Sequence, residues 1–198
     1  MKVSEAKIIE VAYRLFKHHG IRSTSLQKVA RACSISLNDI NLIFDSKREL
    51  VLAEIRHTLE KKTTYLVINS SISPSAVSEL KNFHTFIDDT IADLGAEILS
   101  ELRRYHPMAL DQIREQVDNQ LIPYLQRIIE RGISEEFYRN EIDSELYISS
   151  YIFIIRSILE SDRYDWAETK RMINHINDIF LHGALSEKGM RIKSYKVE

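Results

Sequence analysis

The stretch from Ile8 to Leu50 constrains the fold most, because short apolar stripes at helical spacing alternate there with closely spaced helix-start signals. Ile8, Val11, Ala12 and Leu15 recur on one face, widened by Ile9 and Phe16, while Glu10, Arg14 and Lys17 point away. Ser4 can cap this first helix and Gly20 can end it in a left-handed conformation. Thr24 and Gln27 have capping-box spacing and predict a second helix that turns Leu26, Val29 and Ala30 inward. The small residues Ala32, Cys33 and Ser34 allow a tight turn. Ser36 with Asp39 then opens a third helix, buried through Ile35, Ile40 and Phe44. Ser46 and Glu49 repeat the pattern and start a fourth. Three short helices with a tight turn between the second and third form the geometry that lays a recognition helix in a DNA major groove.

The remainder also reads as helical. Five Gly and three Pro among 198 residues leave few breakers. The fourth helix is expected from Ser46 to about Val67, then a flexible piece, Ile68 to Ser73. Ser73-Pro74 leads into a long helix from Ala76 to about Asp93. A short helix follows from Gly95 to Arg104, and another from Pro107 to about Arg131, kinked or divided at Pro123. A turn-rich segment, Ser134 to Asn140, precedes a helix from Asp143 to Glu160. The last helix is expected from Asp165, with Glu168 at capping-box distance, to about Leu185. No stretch suits a membrane span or a signal-peptide core, so a soluble, cytoplasmic protein is expected. Cys33, the single cysteine, leaves no internal disulfide and reads as packing filler.

The N-terminal pattern resembles the DNA-binding domain of the TetR/AcrR family of bacterial transcriptional regulators. Ala12, Leu15, Phe16, Gly20, Thr24, Val29, Ala30, Ala32, Ile35, Ser36, Ile40, Phe44, Ser46, Lys47, Glu49 and Leu50 carry the resemblance. It covers roughly the first quarter of the chain. Beyond that, the ending Phe180 to Leu185 with Gly189 looks like the family's last helix and tail. The resemblance implies an all-α protein with three parts: a helix-turn-helix DNA-binding domain over 1–50, a helical ligand-binding and dimerisation domain over 51–189, and a flexible tail over 190–198. It implies a transcriptional regulator, more often a repressor in this family, that binds double-stranded operator DNA as a homodimer and is released by a small-molecule effector.

The reading surface departs from the family. Lys, Gly and Thr are usual where this chain has Leu37, Asn38 and Asp39, and Tyr, His and Tyr or Phe where it has Asn41, Leu42 and Ile43. The outward stripe Asn38, Asn41, Leu42 and Asp45 holds no cation, although phosphate neutralisation by Lys and Arg dominates DNA affinity. Asn41 can read adenine, Asp39 can accept from cytosine, and Leu42 can meet a thymine methyl group. The alternative is that Asp39 only caps its helix, Leu37 folds onto the core and the Asn residues are solvated. Phosphate contacts are expected from Thr24, Ser25, Ser46 and Lys47, with Lys28 and Arg22 as less specific cations, and Ser36 is counted among the DNA-binding residues. Through Arg56 the chain carries ten Lys and Arg against six Asp and Glu, a net +4, which leaves −6 elsewhere because the whole is −2. A positive head on an acidic body suits a protein holding DNA at one end.

In the family's manner, the middle helices should enclose an effector among Phe83, His84, Phe86, Tyr105, His106, Met108, Gln116 and Tyr124, unless these aromatics are ordinary core. The helix around Ile148, Ile152, Ile155 and Leu159 is apolar on several sides and must be covered on more than one. A four-helix dimer interface built with the last helix would use Ser149, Ser150, Phe153, Ser157, Trp166, Ile173, Ile176 and Phe180. Arg156, a cation in an apolar run, is expected to pair with Glu160 across one turn. No phosphate-cradling loop, nucleophile elbow or metal-spaced histidine set appears, so no enzyme activity, cofactor or metal is expected. The competing reading is a helical dimeric sensor or protein-binding module that kept the fold and lost operator binding.

Overall fold

The computed structural model describes residues 4–161 and 163–194. The helices are α1 (Glu5–His19), α2 (Leu26–Cys33), α3 (Leu37–Asn41), α4 (Lys47–Ile72), α5 (Ala76–Tyr105), α6 (Pro107–Gln116), α7 (Ile122–Ser134), α8 (Ser144–Glu160), α9 (Trp166–Ala184) and α10 (Glu187–Ser194). A π-helical turn, Val117–Leu121, joins α6 to α7. Among the described residues the only extended pairing is an isolated bridge between Tyr138 and Leu185. The fold is all-α, and no helix among the described residues is long and apolar enough to cross a membrane.

The chain packs as two units, interleaved in sequence. Residues 1–63 and 94–116 form the first, and 64–93 with 117–198 the second. The first unit thus takes residues 94–116, which a linear boundary after residue 50 had given to the body. In the first unit Ile8, Ala12, Phe16, Val29, Ile40, Phe44 and Leu50 close one core with Leu102 from α5 and Ala109 from α6. Removing these side chains from water is its main source of stability. Gly20 ends α1 at φ 76 and donates its N–H to Phe16 at 2.8 Å.

The second unit buries Phe83, Tyr124, Leu125, Ile128, Ile129, Ile148, Ile155 and Ile173. Its helices begin where side chains offer the first free N–H a partner: Asp143 accepts from Leu146 at 3.0 Å and Asp165 from Glu168 at 2.8 Å. Pro123 lies in the first turn of α7, directly after the π-turn; having no N–H to give, it divides the long helix there.

Gly95, at φ 71 and ψ 157, breaks α5 internally, which is the expected division between a helix ending near Asp93 and one starting at Gly95. Three other expectations for the elements change. The segment 68–72 is helical, because nothing before Pro74 breaks α4. Residues 187–194 form α10 where a tail from 190 was expected, anchored by Lys188 on Glu136 at 2.7 Å; 195–198 lie outside the described residues. Gly132 sits inside α7 rather than after it, because the Tyr138 ring covers it: a Cβ there would lie 2.0 Å from ring carbon Cδ2. Tyr138 is 2% exposed and its hydroxyl donates to the Ala76 carbonyl at 2.9 Å, so the ring has nowhere to go. Gly132→Ala should therefore cost about 3 kcal/mol by overpacking, read as a lowered midpoint in thermal denaturation followed by circular dichroism.

Candidate nucleic-acid interface

The third helix is fixed in phase before any DNA is present. Ser36 accepts from the Asp39 N–H at 3.1 Å, and the Asp39 carboxylate accepts from the Ser36 N–H at 2.9 Å and from its hydroxyl at 2.7 Å. These hydrogen bonds hold the Asp39 pKa below the usual carboxylate range. Ile40 and Phe44, 0% and 2% exposed, pin the opposite face into the core. Leu37, Asn38, Asn41 and Leu42 are left outward, Leu42 at 85% exposure. Leu37 is thus not folded away, and Asp39 serves as the cap.

Around α3 the expected phosphate contacts divide. Ser25, not Thr24, caps α2, accepting from Lys28 at 3.2 Å. Thr24 is 1% exposed and donates its hydroxyl to the Gly20 carbonyl at 2.8 Å, so it is a loop brace with no surface for phosphate. Adjacent Thr and Ser can both cap a helix, and the loop's path decides between them. The Ser46 hydroxyl accepts from the Glu49 N–H at 3.2 Å, and the Glu49 carboxylate accepts from the Asp45 N–H at 2.6 Å. The Lys28 ammonium rests on the Ser23 carbonyl at 2.6 Å and that of Lys47 on the Arg22 carbonyl at 2.9 Å. Burial draws the Lys47 pKa below its ordinary value, with Glu101 opposing the shift.

One residue of this region escaped the sequence reading. Glu101, on α5, accepts from the N–H of Ile21 at 2.5 Å and from that of Arg22 at 3.1 Å, clamping the loop between α1 and α2. The Arg22 guanidinium lies 5.7 Å from the Tyr105 ring centre, and Arg48 donates to the Met108 sulfur. No local pattern announces a partner 80 residues away.

The eight proposed effector residues divide between the two units. Tyr105, His106, Met108 and Gln116 belong to the first unit, where Gln116 donates to Thr63. Phe83, His84, Phe86 and Tyr124 belong to the second and pack as an aromatic core, with Phe83 and Tyr124 5.7 Å apart. Burial lowers the His84 pKa to about 4, so it is neutral at neutral pH. The void that His84 lines with Leu80, Leu125, Ile129, Ile148 and Tyr151 measures about 10 Å³, room for one water at most. Burial, with Asp89 beside it, raises Asp88 to about 6, although the Asn177 amide donates to it at 3.0 Å.

On α8, Ser149, Ser150, Phe153 and Ser157 are exposed, Phe153 at 71%. On α9, Trp166, Ile176 and Phe180 are half-buried, while Ile173, 1% exposed, belongs to the core of its own chain and cannot meet a partner. Leu146 and Ile179, 66% and 48% exposed, present apolar surface instead. The spacing of Leu146, Ser149, Ser150, Phe153 and Ser157 is one helical stripe, a signal already present in the sequence. Arg156 pairs with Asp118 at 2.6 Å rather than with Glu160 as expected. Among the described residues no group of His, Cys, Asp and Glu could hold a metal. Burial raises the pKa of the Cys33 thiol, which suits filler.

A cap-fixed third helix, turned outward behind a tight turn, makes the N-terminal domain a helix-turn-helix module. Residues 8–53 match the family described as bacterial regulatory proteins, tetR family, and that domain of this chain is a TetR-family domain. The HTH-type transcriptional regulator YuxN of Bacillus subtilis (strain 168) is 37% identical over 67 residues, 34% of this chain. The matched stretch spans only 23% of that protein's length. Over the whole chain the fold is shared with a transcriptional regulator from Cytophaga hutchinsonii ATCC 33406, at a TM-score of 0.77 and 14% identity, covering 90% of this chain and 97% of the other. A regulator from Saccharomonospora viridis, solved in complex with choline, gives 0.70 and 17%, covering 91% and 96%.

Proposed function

We propose that the protein is a DNA-binding transcriptional regulator of the TetR type: a homodimer, acting as a repressor that a small-molecule effector releases from its operator. The observation that carries this reading is α3 itself, locked by its capping box with its polar stripe free on the outside. The head's net +4 charge and the N-terminus of α2 beside it support phosphate contact. Binding to labelled duplex from upstream of the gene, against a scrambled duplex across a salt series, tests it. Sequence-specific binding that falls steeply as salt rises is expected. Equal affinity for both duplexes, followed by an empty genome-wide pull-down, would favour a helical dimer that has lost operator binding. The cation-free stripe is what keeps that second reading in play.

Dimerisation is assigned to the exposed stripe of α8 with Ile179 of α9, because Leu146, Phe153 and Ile179 are left exposed there beside small serines that allow a close helix approach. A second copy supplies the two-fold symmetry that paired half-sites require. Phe153→Glu places a charge at the centre of that stripe. Light scattering should then report a monomer, with operator affinity reduced at least tenfold, while the circular dichroism spectrum stays unchanged. The effector is assigned to the aromatic core around His84. Because the void there is closed, ligand binding selects a rarer, opened form, and its coupling to DNA affinity is the difference in its affinity for the two forms.

A further inference from the structure

The operator's base composition is written in the third helix. We propose that Asn38 and Asn41 read adenines and Leu42 packs on a thymine methyl group, so that the bases contacted by α3 are A·T pairs and no guanine is required. This rests on the DNA-binding reading above and goes on to name the sequence class.

The phase of α3 comes first. Ile40 and Phe44 are sealed in the core, which turns the residues at i, i+3 and i+4 from Asn38 to the opposite face. Those are Asn38, Asn41 and Leu42, all exposed. Among the described residues neither Asn side chain has a protein partner, so each keeps both a donor and an acceptor for DNA. Adenine shows the major groove one acceptor, N7, and one donor, the N6 amino group, and a carboxamide matches both at once. Guanine shows two acceptors, O6 and N7, and needs two donors, which Arg or Lys supplies. Neither occurs in α3.

Asp39, the only carboxylate in α3, is held at the helix start as its cap, one oxygen accepting from both the N–H and the hydroxyl of Ser36. Leu42 supplies the remaining contact. An 85% exposed leucine has no packing role in its own chain, and the one apolar group that DNA presents in the major groove is the thymine C5-methyl.

The experiment is selection of binding sites by the full-length protein from a pool of randomised duplex DNA, followed by atom-level substitution in the selected site. A·T pairs should fill the contacted positions of each half-site. Replacing a contacted adenine by 7-deazaadenine, which lacks N7, should weaken wild type on the order of tenfold, and Asn38→Ala or Asn41→Ala should be indifferent to the same change at its own position. Replacing thymine by uracil should weaken wild type but not Leu42→Ala. Asn41→Arg should shift the preference at its position to guanine, a gain that misfolding cannot mimic. Selected sites with G·C at those positions, or wild type blind to the missing N7 and methyl groups, would overturn the assignment while leaving DNA binding intact. Failure to select any duplex would overturn the DNA-binding reading and the assignment with it.

Discussion

Arg131→Met should destabilise the second unit by about 3 kcal/mol, the low end for breaking a buried ion pair, since the arginine is itself one-third exposed. Arg131 donates to Glu79 at 2.8 Å and to Glu135 at 2.7 Å, and reaches the Ser73 carbonyl at 3.2 Å. The Glu79 side chain is 4% exposed and loses its cation in the variant. Most of the cost is that stranded carboxylate, not the loss of the pair's own attraction. Arg131→Met combined with Glu79→Met should recover most of the stability, because it removes the stranded charge. Urea denaturation of the two single variants and the double measures the coupling. Additive losses would show that Glu79 tolerates its burial alone.

Glu101→Ala should have the next largest effect, and it should appear in two measurements. The carboxylate holds two backbone N–H groups of the loop that leads into α2. Hydrogen bonds to a charged group are worth about 1.5–3 kcal/mol each, and partial exposure of this loop brings the expected loss of stability to about 2 kcal/mol in all. The loop also carries Arg22, whose carbonyl receives Lys47, so loosening it frees the N-terminus of α2 to wander. DNA affinity should fall at least tenfold at temperatures where the variant remains folded. Glu101→Gln, which keeps one acceptor oxygen, should lose less in both measurements. An alanine variant with wild-type DNA affinity would mean that the clamp serves folding alone.

What the sequence announced was local. Ser4, the Ser36–Asp39 box, Asp143 and the Asp165–Glu168 box are cap signals readable within four residues, and each stands at its expected helix start. Pro123 likewise had to interrupt a helix, wherever the interruption fell. What stayed hidden depends on distant partners. Gly132 looks like a helix stop until Tyr138 is seen lying across it. Ile173 has the same helical spacing as surface residues of α9, and only the packed core shows that it faces inward. Arg156 had a plausible neighbour one turn away and took Asp118 from another element instead. The outward stripe of α3 was legible because a five-residue helix with two buried anchors has a single possible phase. The eight aromatic and polar effector residues were grouped by chemistry alone, and chemistry does not say which of two cores a residue joins.

The interleaving of the two units bears on how the protein comes off the ribosome. The helix-turn-helix is complete in sequence by residue 50, but Glu101, Leu102 and Ala109, which close its core and brace its loop, are synthesised later. At synthesis rates of roughly 5–20 residues per second, the module waits several seconds with an uncovered apolar face. The nascent head is then an unfinished domain whose apolar face is exposed to aggregation until its closing residues emerge. For the same reason a head grafted onto another body would have to bring residues 94–116 along with it, so this module is not portable at its apparent seam.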